Sequence, residues 1–252
     1  MDALIIAAGY GSRLQDISDS KPLTKVAGIA LLELGVRQSA AAGAAQVVVV
    51  TGHRADEVEA ILPSLSIRAG IPVVAARVDD WSKPNGFSVM AGAAQIAGDY
   101  LLMMADHIFA APILQNLAKQ GGADRGVTLA IDRRITSPLI DPEDATWVKS
   151  DADGRITAIG KTILAYDAVD CGAFLATPEL AAAIASAIQS GKSGSLSDGM
   201  QWLADRSRAA THDIGNDPHS AWWMDVDDAR AYAIAEVEAP KFLPEIYTKI
   251  RM

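Results

Sequence analysis

Residues 3–14 read ALIIAAGYGSRL, an apolar run of strand length that passes directly into a turn with two glycines. Open α/β sheets bind ligands beyond the carboxyl ends of their strands, so this order predicts a binding loop at a sheet edge. Glycine lets backbone N–H groups approach phosphate oxygens because it has no Cβ in the way. We therefore predict that the loop residues bind phosphate: Ala8, Gly9, Gly11 and Ser12.

Two basic residues accompany this glycine loop. Arg13 completes a Gly-x-Gly-x-Arg pattern, and Lys21 opens Lys-Pro-Leu a short distance later. A dinucleotide-binding fingerprint needs a third glycine where Leu14 stands, and the loop lacks the Gly-Lys-Ser/Thr of a P-loop. Two cations beside a backbone anion site can neutralise a triphosphate and the charge that develops as pyrophosphate leaves. The alternative is a glycine turn with solvated basic side chains.

Beyond the loop, apolar runs of strand length alternate with alanine-rich segments of helical length, which is typical of βαβ units. The predicted strands are 3–8, 47–51, 72–76, 100–104 and 127–131, with shorter ones near 145–149, 155–160 and 169–176. The predicted helices are 29–43, 55–62, 86–97 and 110–120. Two more are predicted, one that Thr177 caps and Gly191 ends, and one that follows Asp228. Residues 240–252 show no clear pattern. We predict one α/β domain over 1–252, with a Rossmann-like mixed, mainly parallel sheet and helices on both faces.

Composition excludes several classes of protein. Hydrophobic residues make up 50% of the chain and charged residues 21%, which is ordinary for a globular protein and argues against disorder. The net charge of −9 argues against binding to nucleic acid or to an anionic membrane. A single cysteine excludes an internal disulfide and a cysteine-based zinc site. No apolar run approaches the roughly 18 residues of a membrane span, so we expect a soluble, cytoplasmic protein with no membrane insertion.

Three aspartates are candidate metal ligands. Asp106 follows the predicted strand 100–104, so its carboxylate lies at the same sheet edge as the glycine loop, where a hard oxygen ligand facing a triphosphate suits Mg²⁺. Asp225 and Asp227 are two apart, so in an extended segment both face the same way. The alternatives are helix capping by Asp106, and by Asp227 or Asp228 at the last helix.

The opening motif and several later ones resemble a known family. LIIAAGYGSRL at 4–14 with KPL at 21–23 resembles the signature of nucleotidyltransferases that make activated sugars and alcohols from a nucleoside triphosphate and a phosphorylated acceptor. Further similar segments follow in order: PNGFS (84–88), YLLMMADHIF (100–109), AIGK (158–161), VDCGAFLAT (169–177) and WMDVDDAR (223–230). Within the family, ADHIF, VDCGAF and WMDVD are most similar to inositol-1-phosphate cytidylyltransferases. The resemblance implies a Mg²⁺-dependent transfer of CMP from CTP to inositol 1-phosphate, giving CDP-inositol and pyrophosphate.

The resemblance also implies where the nucleobase binds. It assigns the base to Asn85, Gly86 and Ser88, and to the neighbourhood of Thr51 and Gly52. An amide side chain and exposed backbone can pair with a pyrimidine edge. An Asn-Gly turn with Ser88 in the first helical turn would explain the same residues equally well.

The acceptor side is implied in the same way. A lysine at the position of Lys161 holds the acceptor's phosphate in the family, and Asp170 and Gly172 correspond to acceptor-pocket residues. Ser197 lines the same pocket or caps the helix that follows it. Lys161 has no acidic partner nearby in sequence and could instead be a solvated surface lysine. Hexose-1-phosphate enzymes often have a glutamate where Gly160 stands, which disfavours a hexose acceptor.

The resemblance divides the domain into a nucleotide-binding part (1–132), an acceptor-binding lobe (133–215), and a segment with metal ligands and a C-terminal helix (216–252). The expected partners are a nucleoside triphosphate, with CTP favoured, a phosphorylated small molecule, and a separate membrane CDP-alcohol phosphotransferase that takes the product. The sequence leaves open whether the chain forms a homodimer.

Two alternative functions remain. One is transfer to phosphocholine or a hexose 1-phosphate; a quaternary ammonium would need an aromatic cage, for which Trp81, Tyr166, Trp222 and Trp223 are available. The other is a nucleotide-sensing domain without catalysis, against which the presence of both the basic and the acidic candidate residues argues.

Overall fold

The computed structural model describes residues 1–14, 16–121 and 125–248. The strands are β1 (Asp2–Ile6), β2 (Lys25–Val26), β3 (Ile29–Ala30), β4 (Val47–Thr51), β5 (Val73–Arg77), β6 (Tyr100–Met104), β7 (His107–Phe109), β8 (Val127–Asp132), β9 (Trp147–Ser150), β10 (Ile156–Gly160), β11 (Ala168–Ala176), β12 (Ala209–Asp213) and β13 (Trp223–Asp225). The helices are α1 (Leu31–Ala41), α2 (Ala55–Ala69), α3 (Asn85–Ala93), α4 (Ala111–Leu117), α5 (Pro178–Gln189), α6 (Leu196–Ala204), α7 (Ala229–Phe242) and α8 (Pro244–Thr248).

Within the described residues, nine strands form one mixed sheet. Its order is β10-β9-β11-β6-β1-β4-β5, with β8 beside β11 and β12 beside β8. The neighbours β5, β4, β1 and β6 are parallel, whereas β11 runs antiparallel to β6, β8 and β9. Because Ile6 pairs with both Val50 and Met104, β1, β4 and β6 end at one edge of the sheet. The loops that follow these three strands therefore lie together.

Both faces of the sheet are buried, as the apolar strands predict. Ala3 and Ile5 pack in a core with side chains of α1, α2, α4 and α7. Leu4 and Ile6, which point the other way along β1, pack in a second core with side chains of α3, α5 and α6. Successive strand residues point to opposite faces, so an uninterrupted apolar run serves both cores. The predicted fold class, with helices on both faces of a mixed sheet, is confirmed.

Strand β11 changes its pairing at Gly172. Its Ala173–Ala176 portion pairs with β6, whereas its first residues pair with β9. Gly172 has φ of +75°, a conformation that favours glycine, and the register of β11 against β8 shifts between Asp170 and Phe174. Gly172 thus lies where β11 passes from one partner strand to another.

A two-stranded ribbon completes that edge. Strands β7 and β13 pair antiparallel, with Asp225 opposite His107. The ribbon is extended by a backbone hydrogen bond of 2.9 Å in which the Val226 N–H donates to the carbonyl oxygen of Asp106. This pairing brings the carboxylate after β6 next to the Asp-Val-Asp segment.

Some predicted boundaries are wrong. The helix predicted over 55–62 continues through Pro63 to Ala69, because Leu62 and Leu65 are both buried and hold its two halves against the core. Helix α1 starts at Leu31 and ends at Ala41 rather than covering 29–43. Helices α3 and α4 also end before the predicted 97 and 120, at Ala93 and Leu117.

The prediction lacked the helical structure of the tail and five short strands: β2, β3, β7, β12 and β13. Helix α7 runs to Phe242 and α8 covers Pro244–Thr248, where 240–252 showed no clear pattern; residues 249–252 lie outside the described residues. Strand β12 reads AATHD, a sequence with little β propensity. It becomes a strand by parallel pairing with the buried β8.

Candidate active site

The glycine loop lines a cavity of about 300 Å³ at the carboxyl edge of the sheet. The loop contributes all four predicted residues: Ala8, Gly9, Gly11 and Ser12. Gly11 has φ of +64°, and a Cβ there would lie 2.5 Å from the Cβ of Lys21. Position 11 therefore needs glycine for its backbone conformation and for the close approach of Lys21.

Lys21 and Arg13 face the carboxylates across this cavity. The Lys21 ammonium lies 2.5 Å from Asp106 Oδ2 and also pairs with Asp227. The Arg13 guanidinium pairs with Asp227 and, at 2.6 Å, with Asp144 Oδ2. The two predicted cations and two of the predicted metal ligands thus form one cluster of alternating charge.

His107 lies between two of the aspartates. Its Nδ1 is 2.6 Å from Asp106 Oδ1 and 3.9 Å from Asp225 Oδ1. Its ring is parallel to that of Trp223 at 6.0 Å and fits against Gly172, where a Cβ would lie 2.4 Å from His107 Cδ2. His107 is therefore a packed residue that orients Asp106.

The pKa values of these groups follow from burial and from their partners. Burial acts to raise the pKa of Asp106, but the charges of Lys21 and His107 hold that pKa far below its usual range. Burial acts to lower the pKa of His107, but the carboxylates of Asp225 and Asp106 raise it to about 9. The imidazolium thus donates its Nδ1–H to Asp106. Burial raises the pKa of Asp225 to about 6.

The donor set fits a divalent cation. Asp225 Oδ1 is buried and, among the described residues, has no hydrogen-bond donor. Two overlapping groups have candidate ligand atoms within 4.8 Å of one another: Asp106 with His107 and Asp225, and Asp144 with Asp225 and Asp227. Because the His107 imidazolium has no free lone pair, the carboxylates are the candidate ligands. An unpartnered buried carboxylate oxygen among hard oxygen donors is the environment that Mg²⁺ accepts.

The structure decides between the capping alternatives: Asp228 caps a helix, whereas Asp106 and Asp227 do not. Asp228 caps α7, since its side chain accepts a hydrogen bond of 2.7 Å from the N–H of Ala231. Asp227 is thereby left to face the cations. The segment after Asp106 is strand β7 and not a helix. Ser195 caps α6, so Ser197 faces a cavity instead of capping.

A second cavity of about 300 Å³ adjoins the first. The predicted acceptor residues all line it: Lys161, Asp170, Gly172 and Ser197. It shares with the first cavity a set of lining residues at its wall: Arg13, Lys21, Asn85, Met104, Asp106 and Asp227. Burial raises the pKa of Asp170 to about 6.

The residues predicted for the nucleobase divide into two groups. Asn85 and Ser88 line the first cavity, and Asn85 Oδ1 also accepts a hydrogen bond of 2.8 Å from the Leu196 N–H. Among the described residues that line these two cavities, Thr51, Gly52 and Gly86 do not occur.

Those three residues have packing contacts instead. The Thr51 hydroxyl is buried and donates to Glu59 at 2.6 Å. A Cβ on Gly52 would lie 2.6 Å from Trp81 Cβ, and one on Gly86 would lie 2.2 Å from the carbonyl oxygen of Gly194. Both glycines therefore allow close approach of neighbouring segments.

The aromatic residues considered for a cage do not share one pocket. Trp81 is stacked on Tyr10 at 6.0 Å at the rim of the first cavity. The other side chains have different ring partners: Tyr166 stacks on Trp147, Trp222 on Phe242 and Trp223 on His107. The four aromatic side chains that could have formed a cage around a quaternary ammonium therefore do not line one shared pocket.

The sequence analysis did not predict that two residues, Asp144 and Trp81, line the site in the way the structure shows. Asp144 pairs with both Arg13 and Lys161, and Trp81 borders the first cavity. Asp144 stands in an acidic loop with no recognisable spacing, so no sequence signal singled it out. Trp81 lies between Asp80 and Ser82 in a polar loop, where an aromatic residue is itself a signal.

Comparisons with known proteins show the family of the chain. A family model described as MobA-like NTP transferase domain matches residues 3–158. The chain is 32% identical over 236 residues to the bifunctional IPC transferase and DIPP synthase of Rubrobacter xylanophilus, covering 93% of this chain and 51% of that protein. It is 29% identical to the protein of the same name from Aquifex aeolicus, covering 89% and 48% respectively. The chain thus spans about half the length of these relatives.

Solved structures share the fold. The inositol-1-phosphate CTP transferase from T. maritima superposes with a TM-score of 0.78 at 21% identity, over 94% of this chain and 96% of that one. UDP-glucose pyrophosphorylase complexed with UDP-glucose gives 0.79 at 17% identity, over 96% and 99%. In the described part of this chain, no helix has the length and apolar character needed to span a membrane.

Proposed function

This chain belongs to the MobA-like NTP transferase domain family, and from that premise we propose that it transfers CMP from CTP to inositol 1-phosphate. The products are CDP-inositol and pyrophosphate. The acceptor assignment rests on the motifs ADHIF, VDCGAF and WMDVD. The name of the Rubrobacter relative, which includes an IPC transferase, supports it.

One observation carries the proposal. Two cavities of similar size meet at a wall that contains Arg13, Lys21, Asp106 and Asp227. Nucleotidyl transfer joins two anionic substrates at one phosphorus atom, so it requires two pockets that meet where charge can be neutralised. A single-ligand sensor has no need of the second pocket.

The first cavity suits a nucleoside triphosphate in one orientation. Arg13 and Lys21 provide positive charge beside the backbone of the glycine loop, where we assign the phosphates. Asn85, Ser88 and the indole of Trp81 line it as well, and they suit the edge and face of a base. We therefore assign the base to Asn85, Ser88 and Trp81, and give Thr51, Gly52 and Gly86 a packing role.

We assign a magnesium ion to the carboxylates of Asp106, Asp225 and Asp227. The buried Oδ1 of Asp225, which accepts no hydrogen bond from the described residues, supports this assignment. A bound ion would neutralise phosphate charge as the new bond forms. Lys21 bridges Asp106 and Asp227, so we expect its ammonium to move toward phosphate oxygens when substrate binds.

The proposed reaction is an in-line displacement. A phosphate oxygen of inositol 1-phosphate forms a bond to the α-phosphorus of CTP, and the bond from that phosphorus to the bridging oxygen of pyrophosphate breaks. The nucleophile is already an anion, so no general base is needed and catalysis depends on orientation and charge neutralisation. Lys161 holds the attacking phosphate, and Arg13 and Lys21 neutralise the departing pyrophosphate.

The second cavity suits a polyol better than choline. Asp170, Ser197 and Thr146 line it and offer hydrogen-bond partners for ring hydroxyls. The four candidate cage aromatics stack on separate partners, which argues against phosphocholine. Gly160 in place of a glutamate argues against a hexose 1-phosphate.

Within this scheme, 1–132 binds the nucleotide, 133–215 supplies the acceptor pocket, and 216–252 contributes Asp225 and Asp227. We propose that CDP-inositol passes to a separate membrane CDP-alcohol phosphotransferase in phospholipid synthesis.

The direct test is a screen of substrate pairs for release of pyrophosphate. CTP, UTP, dTTP and ATP are each combined with inositol 1-phosphate, phosphocholine and glucose 1-phosphate in the presence of Mg²⁺. We expect the highest kcat/KM for CTP with inositol 1-phosphate. Equal or better turnover of another acceptor would overturn the acceptor assignment, and no pyrophosphate with any pair would overturn the reaction.

A variant tests the acceptor site separately. Lys161→Ala should raise the KM for inositol 1-phosphate about tenfold while changing the KM for CTP less than twofold, because the ammonium faces only the acceptor's phosphate. Lys149→Ala removes a comparable surface charge from β9, where Lys149 pairs with Asp167, and should leave both values unchanged.

A further inference from the structure

Asp144 connects the two substrate sites. It lies between β8 and β9, and each of its carboxylate oxygens pairs with a different cation: Oδ2 with Arg13 at 2.6 Å and Oδ1 with Lys161. Arg13 belongs to the glycine loop and Lys161 follows β10. One carboxylate therefore joins two basic side chains that come from separate parts of the chain.

The charge on Asp144 is maintained by those cations. Burial acts to raise its pKa, but Lys161, Arg13 and Lys21 together lower it. Asp144 is 28% exposed and Lys161 57% exposed at their side chains. Ion pairs this accessible to water are weak, so another anion can replace the carboxylate.

We propose that Asp144 is a displaceable counter-ion, which holds Lys161 and Arg13 until the phosphates of the two substrates replace it. The inference rests on the proposed function, which assigns these two cations to the acceptor and to the nucleotide. Displacement costs every incoming anion the same pairing energy. Asp144 thereby weakens binding of any phosphate, and only a molecule that makes further contacts in the pocket binds well.

Binding measurements distinguish a counter-ion from a residue that contacts the acceptor directly. If Asp144 acts only through the cations, its removal strengthens binding of inorganic phosphate and of inositol 1-phosphate by the same factor. If Asp144 instead bound the hydroxyls of the acceptor, its removal would weaken the acceptor and leave inorganic phosphate unchanged. Removal of the Asp144 charge thus strengthens acceptor binding in the first case and weakens it in the second.

The experiment compares Asp144→Asn with a matched control in the full chain. Glu143→Gln removes the same charge one residue away, and among the described residues Glu143 forms no ion pair with either cation. Dissociation constants for inorganic phosphate and for inositol 1-phosphate are measured by calorimetry without Mg²⁺ or CTP, and the KM for inositol 1-phosphate is measured with both present. We expect Asp144→Asn to lower the two dissociation constants by the same factor, about two- to fivefold, and to lower the KM as well, whereas Glu143→Gln should change none of them.

Two further measurements test whether the gain in phosphate binding comes from the released cations. The gain should vanish at high salt, because the pairs are accessible to water. It should also be smaller when Asp144→Asn is made in a Lys161→Met background, because one of the two cations that Asp144 pairs with is then gone. Asp144→Ser serves as a second variant should thermal unfolding show that Asp144→Asn is not folded.

Several results would overturn the proposal. An increased KM for the acceptor with unchanged phosphate binding would make Asp144 an acceptor ligand. An increased Mg²⁺ requirement with unchanged phosphate binding would make it a metal ligand with Asp225 and Asp227. Because phosphate binding is measured without turnover, it tests the counter-ion even if wild-type protein releases no pyrophosphate, a failure that would concern the proposed function alone.

Discussion

Replacing Gly172 by alanine should damage the site through His107. Gly172 has φ of +75°, and a Cβ there would lie 2.4 Å from His107 Cδ2 and 2.6 Å from Nε2. No ordinary contact is that short, so the imidazole has to move. A displaced ring loses its 2.6 Å hydrogen bond to Asp106 and its stacking on Trp223.

Gly70 provides a matched control. It has φ of +73° at the end of α2, and a Cβ there would meet no atom within 4 Å. Both substitutions put alanine in the left-handed region at a cost of about 1–2 kcal/mol, which a less flexible unfolded chain offsets by about 0.4–1 kcal/mol. Only Gly172→Ala adds the lost charge-assisted hydrogen bond, about 1.5–3 kcal/mol. We therefore expect Gly172→Ala to be less stable than Gly70→Ala by about 2 kcal/mol.

Urea unfolding measures this difference, provided that the m-value is the same for both variants. The kcat of pyrophosphate release should fall at least tenfold in Gly172→Ala and stay unchanged in Gly70→Ala, since only the former misorients Asp106. Equal free energies of unfolding for the two variants, together with an unchanged kcat, would refute the role assigned to His107.

Four further substitutions test the charged groups. Asp106→Asn should abolish turnover without unfolding the protein, because a neutral amide cannot replace the carboxylate charge toward Mg²⁺; normal activity at limiting Mg²⁺ would exclude Asp106 as a ligand. Arg13→Ala and Lys21→Ala should each lower kcat far more than they raise the Kd for CTP, because the extra charge they face appears as pyrophosphate departs. A normal kcat with only weaker CTP binding would reduce that residue to a binding contact. Burial acts to raise the pKa of Asp132, but hydrogen bonds from Arg134 and Trp223 hold that pKa below its usual range. The Asp132 carboxylate therefore stabilises the fold at any pH above its unfolded pKa of about 4. It loses that effect as the pH falls through the lower pKa of the folded state. Asp132→Asn should therefore be less stable than wild type at pH 7, with a difference that shrinks on acidification; a constant difference in unfolding free energy from pH 7 to pH 3 would contradict this.

Local patterns in the sequence determined the order of the elements and one side of the site. The uninterrupted apolar run in β1 predicted a strand buried on both faces, and such a strand ends where ligands bind. Arg13 and Lys21 could be identified because they adjoin the glycine loop, and Asp106 because it follows β6. For the two basic residues a few consecutive residues contain the signal, whereas the metal role predicted for Asp106 rests mainly on the resemblance to the family.

Helix and strand ends were predicted less well, for a physical reason. Pro63 normally ends a helix because it lacks an N–H and crowds the preceding turn, yet α2 continues because Leu65 is buried beyond it. Strand β12 has little propensity of its own and forms by pairing with β8. Packing against distant segments outweighs local preference at both places.

The tertiary structure alone decided how the charged groups combine. Sequence spacing could not tell whether Asp227 or Asp228 caps α7, because the choice depends on how β13 enters the helix. Nor could it pair Asp144 with Arg13 and Lys161, since side chains far apart in sequence meet only when the sheet has brought their loops to one edge. His107 packs against Gly172 of β11, which is distant in sequence. Consecutive residues specify strands, helices and the loop between them, whereas the distances between charges depend on how those elements pack.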